Sequence, residues 1–347
     1  MTPRERVIRT LQHKEVDRPP RELWALPGVP MFMPNELRAQ LEAFPVDFTG
    51  PGVGYKRGKR ESGTPCVIGS SVDAWGSVWE VKEDGVVGEV KDAPFIDNYD
   101  KLGEYEAPWE LLEGLDKDQI ALNCAATDKF VLAGTETRPF ERMQFLRGTE
   151  SLFCDLAMDE PETYVLRDKL HEFFLAEMRF WASTPVDAVG FMDDWGTQVS
   201  LLISPAKWRQ FYKPLYKEYC DILHAAGKFV FFHSDGFIEA IYPDLIEIGV
   251  DAVNSQLFCM DMEKLGREYA GKITFRGEID RQHLLPFATE AEVRAGVRRA
   301  RNALCPSGPL TGVIAQCEWG VDVKASQIRA VYDEWDKLGA ESLERNK

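Results

Sequence analysis

At 347 residues, with a net charge of −16, a pI near 4.9 and 44% hydrophobic residues, the chain is long enough for a sizeable core and too acidic to use nucleic acid or an anionic membrane as its main partner. The same charge excludes a heavily anionic substrate unless a local basic pocket offsets the field. Seven scattered cysteines form no CxxC pair, and there is no leader pattern or run of eighteen apolar residues, so the sequence predicts a cytoplasmic protein with neither disulfides nor membrane spans.

Thr2-Pro-Arg-Glu5 reads as a capping box opening a helix through Val7, Ile8 and Leu11. Glu22-Leu-Trp-Ala-Leu26 reads as a first strand, Pro34–Phe44 as a helix and Val46-Asp-Phe48 as a second, brief strand. Residues from about 50 to 115 break this rhythm. They hold a Gly-, Lys- and Arg-rich loop, an expected β-hairpin (Val78–Val81 and Val86–Val90 around Glu83-Asp-Gly85) and an acidic, aromatic stretch, and read together as an insertion. From Phe130 onward strands and amphipathic helices alternate: Phe130–Ala133, Val186–Phe191, Phe229–Phe232, Asp251–Asn254, Ile273–Arg276 and Leu310–Ala315. With the two early strands this makes eight, and the alternation predicts a single α/β domain over 1–347, a (β/α)8 TIM barrel carrying a β-hairpin insertion.

In such barrels the carboxyl ends of the strands bear the chemistry. His233 and Asp235 follow one strand, Glu278 another and Cys317 the last, and imidazole, carboxylate and thiolate together suit zinc with a position left for substrate. Cys317 reads equally as a small buried residue, and His233 as a hydrogen-bonded polar group. Asp193-Asp194-Trp195 ends another strand, with Gln198 just beyond; adjacent carboxylates there bind a cation, take a proton or orient a substrate, or simply cap a turn. Aromatic residues, Trp24 among them, gather near the early strand ends, as ligand-stacking surface or as core. GxGxxG, Walker, GxSxG and HExxH motifs are absent, which removes the common nucleotide, hydrolase and metalloprotease readings.

His233-Ser-Asp-Gly236, Ile246-Glu-Ile-Gly-Val-Asp-Ala-Val-Asn254 and Arg276-Gly-Glu-Ile-Asp280 resemble the uroporphyrinogen decarboxylase superfamily. So do Thr2-Pro-Arg-Glu-Arg-Val7, Asp193-Asp-Trp-Gly-Thr-Gln198 and Ile203-Ser-Pro205. The resemblance implies a barrel with its site on the carboxyl face and leaves two enzymatic branches. Porphyrinogen decarboxylases of this superfamily hold substrate carboxylates with an Arg-Gln-Ala-Gly-Arg motif after the first strand. Here that place reads Leu23-Trp-Ala-Leu-Pro-Gly-Val-Pro30, and no histidine follows His283. Corrinoid-dependent methyltransferases of the superfamily resemble this chain in a His-x-Cys turn plus a distant Cys that bind zinc. Those positions fall on His233, Asp235 and Cys317, with Asp235 in place of the usual Cys and Glu278 where glycine is common.

The reading the resemblance implies is a zinc-assisted methyltransferase of the O-demethylase type. It moves a methyl group between a small donor, such as a methoxylated aromatic, and a corrinoid carried by a partner protein. Asp193, His233 and Glu278 are the expected catalytic residues, and Trp24, Gln198 and Asn254 the expected substrate contacts. His233, Asp235, Glu278 and Cys317 are the expected metal ligands. The expected partners are a small methylated substrate and a corrinoid protein, with no nucleic acid or membrane; monomer and homodimer both stay open. A uroporphyrinogen-type decarboxylase and a non-catalytic module binding tetrapyrrole or corrinoid partners are the alternatives.

Overall fold

In the computed structural model, residues 1–306 and 310–345 are described. The strands are β1 (Arg21–Ala25), β2 (Phe48–Thr49), β3 (Gly69–Val72), β4 (Val78–Val81), β5 (Glu89–Asp92), β6 (Phe130–Gly134), β7 (Ala188–Met192), β8 (Phe229–Ser234), β9 (Ala252–Ser255), β10 (Thr274–Arg276) and β11 (Val313–Trp319). Eight of them form one parallel sheet in the order β1-β11-β10-β9-β8-β7-β6-β2. The two ends of that sheet meet where Asp47 N–H donates to the Arg21 carbonyl at 2.9 Å. The buried Asp47 carboxylate reinforces the seam, accepting from Arg21 N and pairing with Arg6 and Arg18. The fold is the expected TIM barrel, wrapped by helices such as Pro161–Ala182 and Ala325–Arg345.

The expected hairpin is present and has a third strand. β3, β4 and β5 make an antiparallel sheet that folds against the barrel mouth. Its tip is held by two glycines in contact: Gly85 has φ +86°, and a Cβ there would stand 2.6 Å from Gly28 Cα, in the helix that follows β1. Only glycine satisfies both demands. Among the described residues, no helix is long and apolar enough to cross a membrane.

Strand side chains alternate between the barrel interior and the helical layer. Phe48, Phe130, Ala188, Phe231, Ala252 and Ile314 fill the lower interior, with Val7 and Leu11 of the first helix against them. Above this apolar layer Arg276 pairs with Glu22, its Nε donating to Glu22 Oε2 at 2.7 Å, and its guanidinium stacks on Trp24 and Phe231. Burying this pair deep in the barrel is tolerable because both charges are matched at hydrogen-bond distance. The interior therefore rises from hydrocarbon through an ion pair to an open, polar mouth, where the next inward side chains are His233 and Glu318.

Candidate functional site

His233 closes the sequence Phe229-Val-Phe-Phe-His, and the pleat puts it inward with Phe229 and Phe231. Its Nδ1 lies 2.5 Å from Asn254 Oδ1 on the neighbouring strand β9. The Asn254 amide nitrogen donates to the Arg276 carbonyl, also at 2.5 Å, which fixes the amide so that its oxygen faces the ring. His233 Nδ1 consequently carries the proton, and the lone pair of Nε2 is free on the cavity side. Asp194 Oδ1 lies 3.5 Å from that nitrogen and Asp235 Oδ1 3.7 Å.

Among the described residues, Asp194, His233 and Asp235 are the group of His, Cys, Asp and Glu side chains whose donor atoms come close enough to share one ion, all within 4.8 Å of one another. Two ligands each about 2.0–2.1 Å from a tetrahedral ion stand roughly 3.3 Å apart, close to the separations seen. Asp235 Oδ1 is buried and has no hydrogen-bond partner, a costly state for a carboxylate oxygen and one that a cation relieves. One imidazole and two carboxylates thus fit a divalent cation, zinc included, and make a harder donor set than a thiolate site.

Arg281 covers this group. Its guanidinium hydrogen-bonds the Asp235 and Glu318 carboxylates and lies 3.3 Å from Glu278. Burial pushes the Glu278 carboxyl well above the usual carboxylate range, with Arg281 opposing, and Glu318 is raised for the same reason. Glu141 is likewise raised, by burial first and then by the neighbouring Asp194 charge. Burial makes negative charge on these carboxyls costly, and a cation relieves that cost, which favours binding a cation over binding an anion at this end.

The cavity above the cluster has a volume of about 890 Å³. Trp24, Met192, Phe145 and Trp79 give it an apolar wall, with Trp79 supplied by the insertion. The Trp24 ring lies 5.2 Å from the His233 ring, and its indole N–H is held by Glu22.

The expected site residues divide into those that meet here and those that do not. His233, Asp235 and Trp24 face the cavity. Asn254 stands behind His233 and orients it. Gln198 bonds Gln256 and lines a separate, smaller pocket of about 180 Å³ beside the main one, together with Glu278. Glu278 reaches the cluster only through Arg281. Asp193 and Cys317 do not face the cavity. Asp193 is 0% exposed and points to the helical layer, where it accepts from Phe140 N, Glu141 N and Tyr216 Oη and so caps the helix Pro139–Arg147. Cys317, 0% exposed, packs outward on β11, opposite Leu23 of β1. Burial pushes its thiol pKa up, which disfavours the thiolate that a metal needs.

In both cases the inward neighbour takes the place: Asp194 beside Asp193, and Glu318 beside Cys317. The period-two alternation of a strand was the available signal, since counting back from His233 and Trp24 sets the parity of each strand end. Arg281 and Arg138, in loops where no periodic signal exists, also line the cavity, as does Glu141 in the first turn of the helix Pro139–Arg147.

The uroporphyrinogen decarboxylase family matches residues 86–331. The chain belongs to that family. Among solved structures, a methyltransferase from Methanosarcina mazei shares the fold across 97% of this chain and 99% of its own, with a TM-score of 0.70 and 14% identity. A D-psicose 3-epimerase from Clostridium cellulolyticum H10 covers 68% of this chain and 85% of its own, at 12% identity and a TM-score of 0.37. An endo-β-1,4-xylanase from Gloeophyllum trabeum covers 90% and 87%, at 11% identity and a TM-score of 0.42. No curated protein matches the sequence. As a member of the family, this chain keeps the barrel and lacks an arginine cluster after β1, where exposed Leu26, Met31 and Phe32 stand instead.

Proposed function

We propose that this family member is a corrinoid-linked methyltransferase that demethylates a small methoxylated substrate. The observation that carries the reading is the Asp194/His233/Asp235 group beneath a cavity with one aromatic wall. A divalent cation held by those three residues would supply Lewis-acid polarisation of the oxygen from which the methyl group departs. Asn254 keeps His233 in the tautomer able to donate its Nε2 lone pair, and Arg281 holds Asp235 and Glu318 in place. Trp24 and Met192 exclude water from the reacting carbon. The methyl group would pass, without its bonding electrons, to the nucleophilic cobalt of a corrinoid carried by a separate protein, and the oxygen would leave with both electrons and take up a proton.

Three further observations support this over porphyrinogen decarboxylation. A multiply anionic porphyrinogen needs compensating guanidiniums, and the loop after β1 offers apolar side chains instead. The mouth is rimmed by exposed Leu26, Phe32, Val87, Phe287 and Val321, a surface suited to a docking protein. The whole-chain fold is also that of the Methanosarcina mazei methyltransferase. All seven cysteines are free, as suits a reducing cytoplasm in which low-valent cobalt survives.

The test combines metal content with turnover. Purified protein supplied with zinc and a methoxyarene is mixed with free cob(I)alamin, and methyl transfer is followed by the cobalamin spectrum. Methylation that is lost in Asp194→Asn and Asp235→Asn together with bound metal is the expected result. Coproporphyrinogen formed from uroporphyrinogen would instead establish the decarboxylase. Binding of cobalamin without turnover would leave a non-catalytic module.

A further inference from the structure

Two guanidiniums line the main cavity, and they differ in how their charge is used. Arg281 is engaged by Asp235, Glu278 and Glu318. Arg138 is not matched in this way. Its Nε is buried with no hydrogen-bond partner, and the carboxylate beside it, Glu141, stands 3.9 Å away, beyond hydrogen-bond distance. The nearby Arg142 shares the unpartnered Nε, but both its terminal nitrogens are bound, to Asp73 and Glu136, and it stacks on Trp75 and Phe145, whereas Arg138 has no carboxylate within hydrogen-bond distance. A guanidinium that faces a cavity without a carboxylate at hydrogen-bond distance keeps its charge available to an anionic group on a ligand.

Arg138 sits in the loop after β6, the strand next to β7, so it shares the wall with Met192 and Asp194. Glu141 on the same wall interacts electrostatically with both Arg138 and Asp194. A molecule lying along this wall has its reacting oxygen at Asp194, His233 and Asp235, its apolar body against Trp24, Met192, Phe145 and Trp79, and its far end at Arg138. A planar carboxylate matches the guanidinium fork there.

Resting on the function proposed above, we propose that the substrate is a methoxylated aromatic carboxylate and that Arg138 binds its carboxylate. Arg138 is the specificity residue that separates aromatic acids from neutral methyl ethers.

The experiment measures binding of 4-methoxybenzoate and of methoxybenzene by calorimetry, on zinc-supplied wild-type protein and on Arg138→Gln and Arg138→Lys. The wild type is expected to prefer the benzoate by about tenfold or more, the scale of hydrogen bonds to a charged partner. Arg138→Gln should erase that preference while methoxybenzene affinity and zinc content stay unchanged. Arg138→Lys, with a point charge in place of the fork, should keep part of it. Equal binding of the two ligands by the wild type, or an undiminished preference in Arg138→Gln, overturns the assignment and leaves the methoxyarene reading standing. Loss of both ligands together with zinc in both variants also overturns it, since Arg138 would then support the structure only. Binding of neither ligand by zinc-loaded wild type would remove the methoxyarene reading itself, and this assignment with it.

Discussion

Gly196 and Gly236 meet backbone to backbone at the barrel mouth. A Cβ on Gly236 would collide with the Gly196 carbonyl, and a Cβ on Gly196 would stand 2.6 Å from the Gly236 carbonyl carbon. Gly236 also has φ +80°, a conformation strained for any other residue. The contact draws the loop after β7 against the loop after β8, and Gly196 N–H donates to the Asp235 carbonyl at 3.2 Å. Asp194 and Asp235 thereby arrive on the same side of His233, although 41 positions separate them in sequence.

Gly236→Ala should therefore damage both stability and site. The strained φ and the collision together should cost about 2–3 kcal/mol, read as a lower denaturation midpoint. Zinc affinity should fall with it, because the two loops must separate. An alanine variant that binds zinc like the wild type would show that the loops do not depend on this contact.

Asp193 and Asp194 should behave as opposites. Asp193→Asn places an amide against three donors in a fully buried position and should cost about 2–3 kcal/mol. Asp194→Asn removes a half-exposed carboxylate and should cost under about 1 kcal/mol, while lowering zinc affinity by at least about tenfold. Unfolding curves and metal titrations on the two variants separate the roles. A stable, metal-free Asp193→Asn protein would reverse them.

These neighbours also show how far the sequence could be read. All eight barrel strands were legible, because apolar runs such as Phe229–Phe232 are bounded by turn residues and spaced by amphipathic helices. The strand ends His233 and Asp235 were legible for the same reason. The face on which each flanking residue lands was not, since it depends on strand register and parity, which shift by a whole face with one residue. Asp193 and Cys317 fell on the outer face, and Asp194 and Glu318 on the inner one. Arg281 and Arg138 lie in loops whose paths are set by contacts such as the two glycine pairs, contacts that local patterns do not encode. The third strand of the insertion, Gly69–Val72, was missed because Gly-Ser-Ser-Val carries almost no strand signal.

Cys317→Ala should leave zinc content unchanged. The thiol lies in the outer layer, near Tyr332, and its removal should cost roughly 1 kcal/mol through a small cavity. Elemental analysis of the purified variant decides the matter. Loss of metal in this variant would mean that the outer packing of β11 differs when the ion is bound.

Asn254→Leu should lower zinc affinity by about 10- to 100-fold, because the orienting hydrogen bond to His233 Nδ1 is lost and either tautomer becomes available. Asn254→Asp should restore much of the affinity, since a carboxylate also accepts from Nδ1–H. If leucine and asparagine bind zinc equally, His233 is oriented by packing against Trp24 alone.

Glu177 gives the fold a dependence on pH that is separate from the site. It is fully buried and accepts from Tyr55 Oη at 2.5 Å, Glu136 N at 2.9 Å and Thr137 Oγ1 at 2.6 Å. Burial outweighs these donors and raises its pKa from 4.5 to about 7. Between those values the folded chain holds a proton that the unfolded chain has released. The stability this contributes is complete below about pH 4.5 and is lost by about pH 7, a change of roughly 3 kcal/mol at full shift. The carboxylates with lowered pKa, such as Asp17 and Asp244, act in the opposite sense, and their window lies below their ordinary value of 3.8. Urea unfolding from pH 5 to 8 should therefore show stability falling with pH, and Glu177→Gln should make that fall shallower because the amide stays neutral throughout, the raised Glu278, Glu318 and Glu141 carboxyls acting in the same sense in both proteins. A variant whose stability falls as steeply as the wild type's would place the titration elsewhere.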